Sequence, residues 1–383
     1  MFNNDSMDKE LAYWLALAHL PKVRIKKKNE IIVKLFEEQK TIIDFFHSDK
    51  NDWVSNYDID DNEMFIFEKA INELSNYSFM VEDLLEQGYS IIPITSPDYS
   101  PILKKNLGRT FAPPLIYTKG NKNILKESSI AIVGSRKADE ISLEFTDNVA
   151  KKASKEYKVV VSGFAKGVDK QALDSALKYK GQSIIVLPQG ISTFKSGFKK
   201  YYKQIIEGDI LVLSTFFPKA HWSVQFAMAR NPIIYGLVNE IYVAESSSKG
   251  GTWSGVVDGL RKGRNIYVRK PNVIEKNANN LLIQKGAIPV NLEGNKLSYE
   301  QIETLNSIVS EPDLNTEEEK IIEFLKKGVY TSKRIVDTLK INWTSRKVTS
   351  FLKHQKDVII VKGKPMKFAH KDRTIHAQKT LFG

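Results

Sequence analysis

Hydrophobic positions along the chain fall into two rhythms. Between residues 8 and 88 they recur at helical spacing, with apolar side chains three and four apart in Glu10–Ala18, Ile31–Phe36, Ile42–Phe46 and Met64–Leu74. From residue 130 they gather instead into short runs rich in β-branched residues: Ile-Ala-Ile-Val (130–133), Val-Val-Val (159–161) and Ile-Ile-Val-Leu (184–187). Each run stops at a turn containing Gly or Ser, and continuous apolar runs of this length read as strands buried on both faces. Helical stretches at 140–156 and 168–179 separate them. The order is β-α-β-α-β, the start of an α/β fold with an extended Rossmann-like, doubly wound, mostly parallel sheet.

The same reading extends outward. Strands are expected at Asp209–Ser214, Glu240–Glu245 and Asn265–Val268, and helices at Tyr201–Glu207, Trp253–Lys262 and Asn279–Lys285. A further helix, His221–Ala229, should end at Arg230-Asn231-Pro232, because proline cannot continue a helix. The run Lys22–Lys28 reads as an exposed turn. Thr95–Pro101 reads as an extended, Pro-rich loop ahead of a strand at Ala112–Tyr117.

Near the C-terminus, Thr316 and Glu319 form a capping box opening a helix at Glu317–Lys327. Ser332–Leu339 and Thr344–His354 follow as helices, and a basic hairpin spans Val358 to Phe368. Three helices and a hairpin read as a winged helix-turn-helix. Ser345, Arg346, Lys347, Thr349, Ser350 and Lys353 would lie on its recognition helix, with Lys362 and Lys364 on its wing. The expected organisation is a helical N-terminal domain (1–88), a Rossmann-like core (89–297), a linker (298–316), the winged helix (317–370) and a basic tail (371–383).

Charge sharpens this picture. The chain carries a formal charge of +12, and residues 328–383 alone hold 13 Lys/Arg against 3 Asp/Glu. Such asymmetry points to a polyanion, most simply nucleic acid. Cysteine is absent and the six histidines show no ligand spacing, so neither a metal nor a cofactor is expected. No apolar run reaches 18 residues and Met1 opens no signal-peptide pattern, so the expected location is cytoplasmic, away from membranes.

Candidate chemistry gathers at two strand ends, Gly134-Ser135-Arg136 and Ser162-Gly163-Phe164-Ala165-Lys166-Gly167. Small residues there expose backbone N–H groups and helix N-termini, an arrangement that docks anions, and Arg136 and Lys166 add full charge. Phe164, Trp222 and Trp253 could stack bases, although core packing is the expected role of each. The Gly-x-Gly-x-x-Gly fingerprint of a dinucleotide enzyme is missing. Gly250-Gly251-Thr252 has a phosphoribohydrolase flavour, yet the Glu that motif needs is absent. Glu245 reads as a ligand of backbone amides, and no acid–base pair accompanies it. A nucleotide-binding or phosphoribohydrolase-like enzyme thus stays only a distant alternative, and no catalytic residue is expected.

One ordered set of motifs resembles the DprA/Smf family (DNA-processing protein A). It comprises Tyr99-x-Pro101-x-Leu103, Pro113-Pro114-Leu115-Ile116-Tyr117-x-x-Gly120, Gly134-Ser135-Arg136, Ser162-Gly163-x-Ala165-x-Gly167-x-Asp169, Val186-Leu187-x-x-Gly190, Arg230-Asn231 and Asn279-x-Leu281 with Gly286-Ala287. The resemblance covers 85–295. It implies a dimer that binds single-stranded DNA, protects it and loads a RecA-type recombinase, as in natural transformation. By the same resemblance Arg136 and Lys166 would hold phosphates, and Gly134, Ser135, Ser162, Gly163 and Gly167 would line the rim. Arg230 and Asn231 would contribute from the opposite side, with Lys249, Gly250, Gly251 and Thr252 as further candidates. Asp169 would fix the turn as a helix cap. The chain departs from the family at Leu173, Ser214-Thr215, Pro232 and the segment 250–255, which marks a divergent member. DprA-like proteins also restrain toxins in anti-phage modules, so a DNA-sensing antitoxin with a toxin partner is the alternative role.

Overall fold

The computed structural model describes residues 4–272, 275–298, 301, 317–361, 363 and 365–371. The cap expected at Thr316, nearly all of the 298–316 linker, the wing positions Lys362 and Lys364 and the tail beyond 371 lie outside the described residues. The chain forms two units, Met1–Ser298 and Tyr299–Gly383.

Six helices open the first unit: α1 (Asn4–Ala18), α2 (Ile25–Glu37), α3 (Ile42–His47), α4 (Lys50–Tyr57), α5 (Asp61–Asn72) and α6 (Leu74–Glu86). Their starts follow local chemistry. Thr41 and Asp60 close capping boxes with Asp44 and Glu63, and Asp49 caps α4. The Lys22–Lys28 run is not one exposed turn, because α2 already begins at Ile25. Lys28 is buried, and its ammonium donates to the carbonyls of Ala18 and Leu20 at 2.7 and 3.0 Å, satisfying the end of α1. Burial lowers its pKa to about 8.

The sheet that follows has nine strands: β1 (Ser90–Pro93), β2 (Leu115–Gly120), β3 (Ser129–Val133), β4 (Val159–Ser162), β5 (Ser183–Val186), β6 (Ile210–Ser214), β7 (Glu240–Val243), β8 (Asn265–Arg269) and β9 (Ile288–Val290). Their spatial order is β1-β2-β6-β5-β4-β3-β7-β8-β9. The pairs β1–β2 and β2–β6 are antiparallel, and the others are parallel. The chain runs outward from β3 to β6 and then returns to lay β7 on the other side of β3. That reversal between β3 and β7 is a topological switch point, where open α/β sheets leave a crevice at their carboxyl edge.

Helices α7 (Pro101–Phe111), α8 (Glu140–Lys155), α9 (Val168–Lys178), α10 (Lys195–Lys200), α11 (Tyr202–Glu207), α12 (Val224–Gly236), α13 (Gly251–Arg261) and α14 (Asn279–Gln284) complete the unit. Two of them correct the sequence reading. The Pro-rich segment is not extended throughout: Ser100 caps α7 and Pro101 sits at its first turn, where the missing N–H costs nothing. Helix α12 does not end at Arg230-Asn231-Pro232 but carries Pro232 inside it. Ile233, Ile234 and Tyr235 beyond the proline are buried against the sheet, and that packing outweighs the lost hydrogen bond.

Alternation along the strands explains the layers. Ala131, Val133, Val161, Ile184, Leu211 and Leu213 face one core, which also takes Ile233, Ile234 and Val256 from α12 and α13. On the opposite face the sheet is covered in two halves. Ile130, Ile132 and Val160 pack with α8 and α9, whereas Ile185, Ile210, Val212, Leu115 and Tyr117 pack with side chains of α1 to α6. His19, just past α1, stacks on Tyr117 and shares a 2.7 Å hydrogen bond with its hydroxyl. The break expected at residue 88 is therefore no break in packing, because the N-terminal helices supply a missing layer of the sheet.

In the second unit, helices Glu317–Lys327, Ser332–Leu339 and Ser345–Lys353 precede an antiparallel hairpin of β10 (Val358–Val361) and β11 (Lys367–His370). Ile321, Leu325, Ile335, Val348, Leu352 and Phe368 form its separate core.

The shared core makes a prediction. Phe45 is fully buried, with the rings of Tyr57 and Phe67 centred 4.9 and 5.3 Å away. Phe45→Ala should cost about 3–5 kcal/mol. In native-state hydrogen exchange, β5 amides should lose protection by the same factor as α3 amides. A loss confined to α1–α6 would show that the helices unfold on their own.

Candidate nucleic-acid interface

Two turns at the carboxyl edge of the sheet are knitted together by backbone. The Val168 amide donates to the Ser135 carbonyl at 3.2 Å, and Thr252, at the start of α13, donates its hydroxyl to the Gly134 carbonyl at 3.2 Å. Glycine is required where these segments meet. A Cβ on Gly167, whose φ is 76°, would lie 2.3 Å from the Ser135 carbonyl oxygen, and one on Gly163 would lie 1.3 Å from Arg230 Nη1.

This packing leaves two cavities. One, of about 410 Å³, sits at the β3/β7 switch point and is lined by Gly134, Ser135, Asn231, Lys249 and Gly250–Thr252. The other, of about 530 Å³, lies over the ends of β4 and β5 and is lined by Gly163, Phe164, Lys166, Gln189 and Trp222. Arg136 and Arg230 border both. Arg136 and Lys166 are exposed, and neither has a hydrogen-bond or ion-pair partner among the described residues. Two free cations at the ends of adjacent strands, beside helix starts that carry no side-chain cap, form a surface with the chemistry suited to phosphates.

Several expected residues are placed differently. Arg230 does not project from the opposite side. It is 4% exposed beneath the turns, donates to the Val186 carbonyl at 3.3 Å and faces the Asp169 carboxylate at 3.9 Å. Its Nε has no hydrogen-bond partner among the described residues. Asp169 is not the cap of α9, since Gly167 holds that position. Its carboxylate instead accepts from the Ala165 amide at 3.4 Å, so it still fixes the turn. Burial pushes the Asp169 carboxyl up, against the opposing pull of Arg230 and the Ala165 and Gly163 amides. Ser162 is buried and reaches neither cavity, because its hydroxyl donates to the Asp169 carbonyl at 2.7 Å. Gly167 likewise supports the rim from below.

Glu245 borders the switch-point cavity and accepts from the Asp139 amide and the Ser142 hydroxyl at 3.4 and 3.2 Å. One exposed cation of the second cavity escaped the sequence reading, and one aromatic residue was misplaced by it. Lys137 adds a third exposed cation to the second cavity, a position signalled by its adjacency to Arg136. Trp222 is 53% exposed rather than in the core. Phe164 is half-buried against Phe194 and Tyr201, and Trp253 packs against the core beneath α13.

In the second unit, Ser345, Arg346, Thr349, Ser350 and Lys353 border one shallow groove with His354. Two candidates there are already engaged. Thr349 shares a 2.7 Å hydrogen bond with Ser332, and the Lys347 ammonium lies 3.9 Å from the centre of the Trp343 ring, outside the groove. Among the described residues no cluster of acidic and histidine side chains is arranged to hold a metal, and no helix is long and apolar enough to cross a membrane.

Comparison with known proteins adds independent findings. The family described as DNA recombination-mediator protein A matches residues 90–301. DNA processing protein DprA of Streptococcus pneumoniae is 32% identical over 178 residues, which are 46% of this chain and 63% of that relative. DNA processing protein DprA of Bacillus subtilis is 27% identical over 206 residues, 53% of this chain and 68% of the relative. The X-ray structure of DNA processing protein A from Streptococcus pneumoniae superposes with a TM-score of 0.57 at 25% identity, covering 74% of this chain and 94% of that one.

The buried pair sets a stability prediction. Asp169→Ala strands the Arg230 charge without its carboxylate and should cost about 3 kcal/mol. Asp169→Asn, which keeps an acceptor for the Ala165 amide, should cost less. Equal denaturant midpoints for both variants and the parent chain would remove the pair from the account of the rim.

Proposed function

The chain belongs to the DNA recombination-mediator protein A family, and on that premise we propose that it binds single-stranded DNA and acts in DNA processing and recombination. The observation that carries the reading is the pair of free cations, Arg136 and Lys166, set on adjacent glycine-built turns at the carboxyl edge of the sheet. Phosphates supply most of the affinity of a binder that ignores sequence, and such a rim offers them charge and backbone donors together. Gly134, Ser135, Gly163 and the Asn231–Thr252 side of the crevice complete the path. Arg230 contributes from beneath as a buried charge.

In this reading the protein is a homodimer of the cytoplasm that shields incoming strands and passes them to a RecA-type recombinase, with no catalysis of its own. The matched family mediates recombination, which favours this role over the toxin-restraining and phosphoribohydrolase alternatives. The second unit is a winged helix that contacts duplex DNA through Arg346, Ser350 and Lys353 on its third helix.

Two measurements test the proposal. Arg136→Ala with Lys166→Ala should weaken binding to a fluorescent single strand by more than about tenfold and flatten its salt dependence, with thermal stability unchanged. Unaltered affinity in the folded double variant would reject the rim. Truncation after Pro312 should reduce duplex binding more than single-strand binding, and an equal loss of both would reject the winged helix as a duplex reader.

A further inference from the structure

Trp222 sits in the loop between β6 and α12, one residue before Ser223, which caps that helix. The residue is 53% exposed, and its ring makes no hydrogen bond or ring contact among the described residues. It borders the same 530 Å³ cavity as Arg136 and Lys166. That volume falls within the roughly 300–1,000 Å³ of small-ligand sites. Phe164 lines the cavity too. Its backbone is left-handed, with φ at 60°, a conformation that a bulky side chain rarely adopts and that clusters at functional sites. Edge-to-face contacts at 5.1 Å with Phe194 and 5.8 Å with Tyr201 hold its ring in place.

The polar groups are also suited to a base. Gln189 Nε2 donates to Thr193 Oγ1 at 2.9 Å, which leaves the side-chain amide oxygen Oε1 of Gln189 without a partner among the described residues, and Ser196, whose hydroxyl is also unpaired among them, lines the same cavity. A flat aromatic wall, a fixed aromatic ring and unpaired polar groups beside two phosphate-binding cations match the chemistry of an unstacked nucleotide.

We propose that Trp222 and Phe164 form a base-stacking pocket, which takes one base of a strand whose phosphates lie on Arg136 and Lys166. The inference rests on the single-strand reading above. It adds a contact that ignores phosphate and recognises the π-face of a base. Because every base has such a face, the pocket is tolerant of sequence.

The test compares fluorescence anisotropy of an oligothymidine with that of an abasic oligonucleotide of equal length, using the full chain, Trp222→Ala and Trp222→Phe. Trp222→Ala should weaken oligothymidine binding about tenfold while leaving abasic affinity and the salt slope where they were. Trp222→Phe should restore most of the loss. Oligothymidine affinity retained in Trp222→Ala, or an equal fall on both oligonucleotides, overturns the pocket and leaves the phosphate rim standing. A parent chain that binds neither oligonucleotide overturns the single-strand reading and the pocket together.

Discussion

A guanidinium lies buried under the carboxyl edge of the sheet, and the rim above it takes its shape from how that charge is housed. Arg230 reaches under the β4 turn because residue 163 has no side chain to obstruct it. Asp169 and the Val186 carbonyl partly neutralise it, and its Nε keeps an unused donor. Charge in a poorly solvated position acts over a longer range than charge in water. Arg230 thus adds to the field at the turns from beneath, almost wholly buried, while Arg136 and Lys166 stay exposed and unpaired among the described residues. Gly163 admits the guanidinium, and Gly167 and Gly134 let the two turns approach closely, where the Val168 amide and the Thr252 hydroxyl bond to the Ser135 and Gly134 carbonyls, so the two turns behave as one surface.

That surface depends on a sheet whose two faces are both sealed. On one half of a face the seal comes from α8 and α9, and on the other half from α1 to α6. The N-terminal helices are therefore part of what holds the edge rigid. His19 and Tyr117 join them to β2, and burial lowers the His19 pKa to about 3, so the imidazole is neutral in its stacked position.

Much of this was legible in the sequence, and the misses share a cause. The strands at 130–133, 159–162 and 183–186 were plain because a sheet buried on both faces needs uninterrupted apolar runs. The turns after them were plain because glycine and serine mark where such runs stop. Arg136 and Lys166 followed as the charged neighbours of those turns. What stayed hidden depends on partners distant in the chain. Nothing local reveals that Pro232 is carried inside a helix, since the packing that tolerates it comes from strands many residues away. The burial of Arg230 is equally hidden, because a charged residue goes inside only where another segment leaves room and supplies a carboxylate. Trp222 was misplaced for the opposite reason. Tryptophan is usually buried, and only the path of the loop into α12 shows that this one faces the cavity.

Phosphate contacts alone leave one requirement of the function unmet. A duplex carries phosphates more densely than a single strand, so a cation rim attracts both, and selectivity has to come from something the duplex cannot present. Stacked and paired bases keep their faces covered. A pocket walled by Trp222 and Phe164 can be entered only by a base that has left its stack, and its contribution is therefore reserved for single strands. The proposed site thus divides its labour by chemistry: the buried and exposed cations would set how tightly a strand is held and how that depends on salt, while the aromatic pocket would set which form of DNA is preferred.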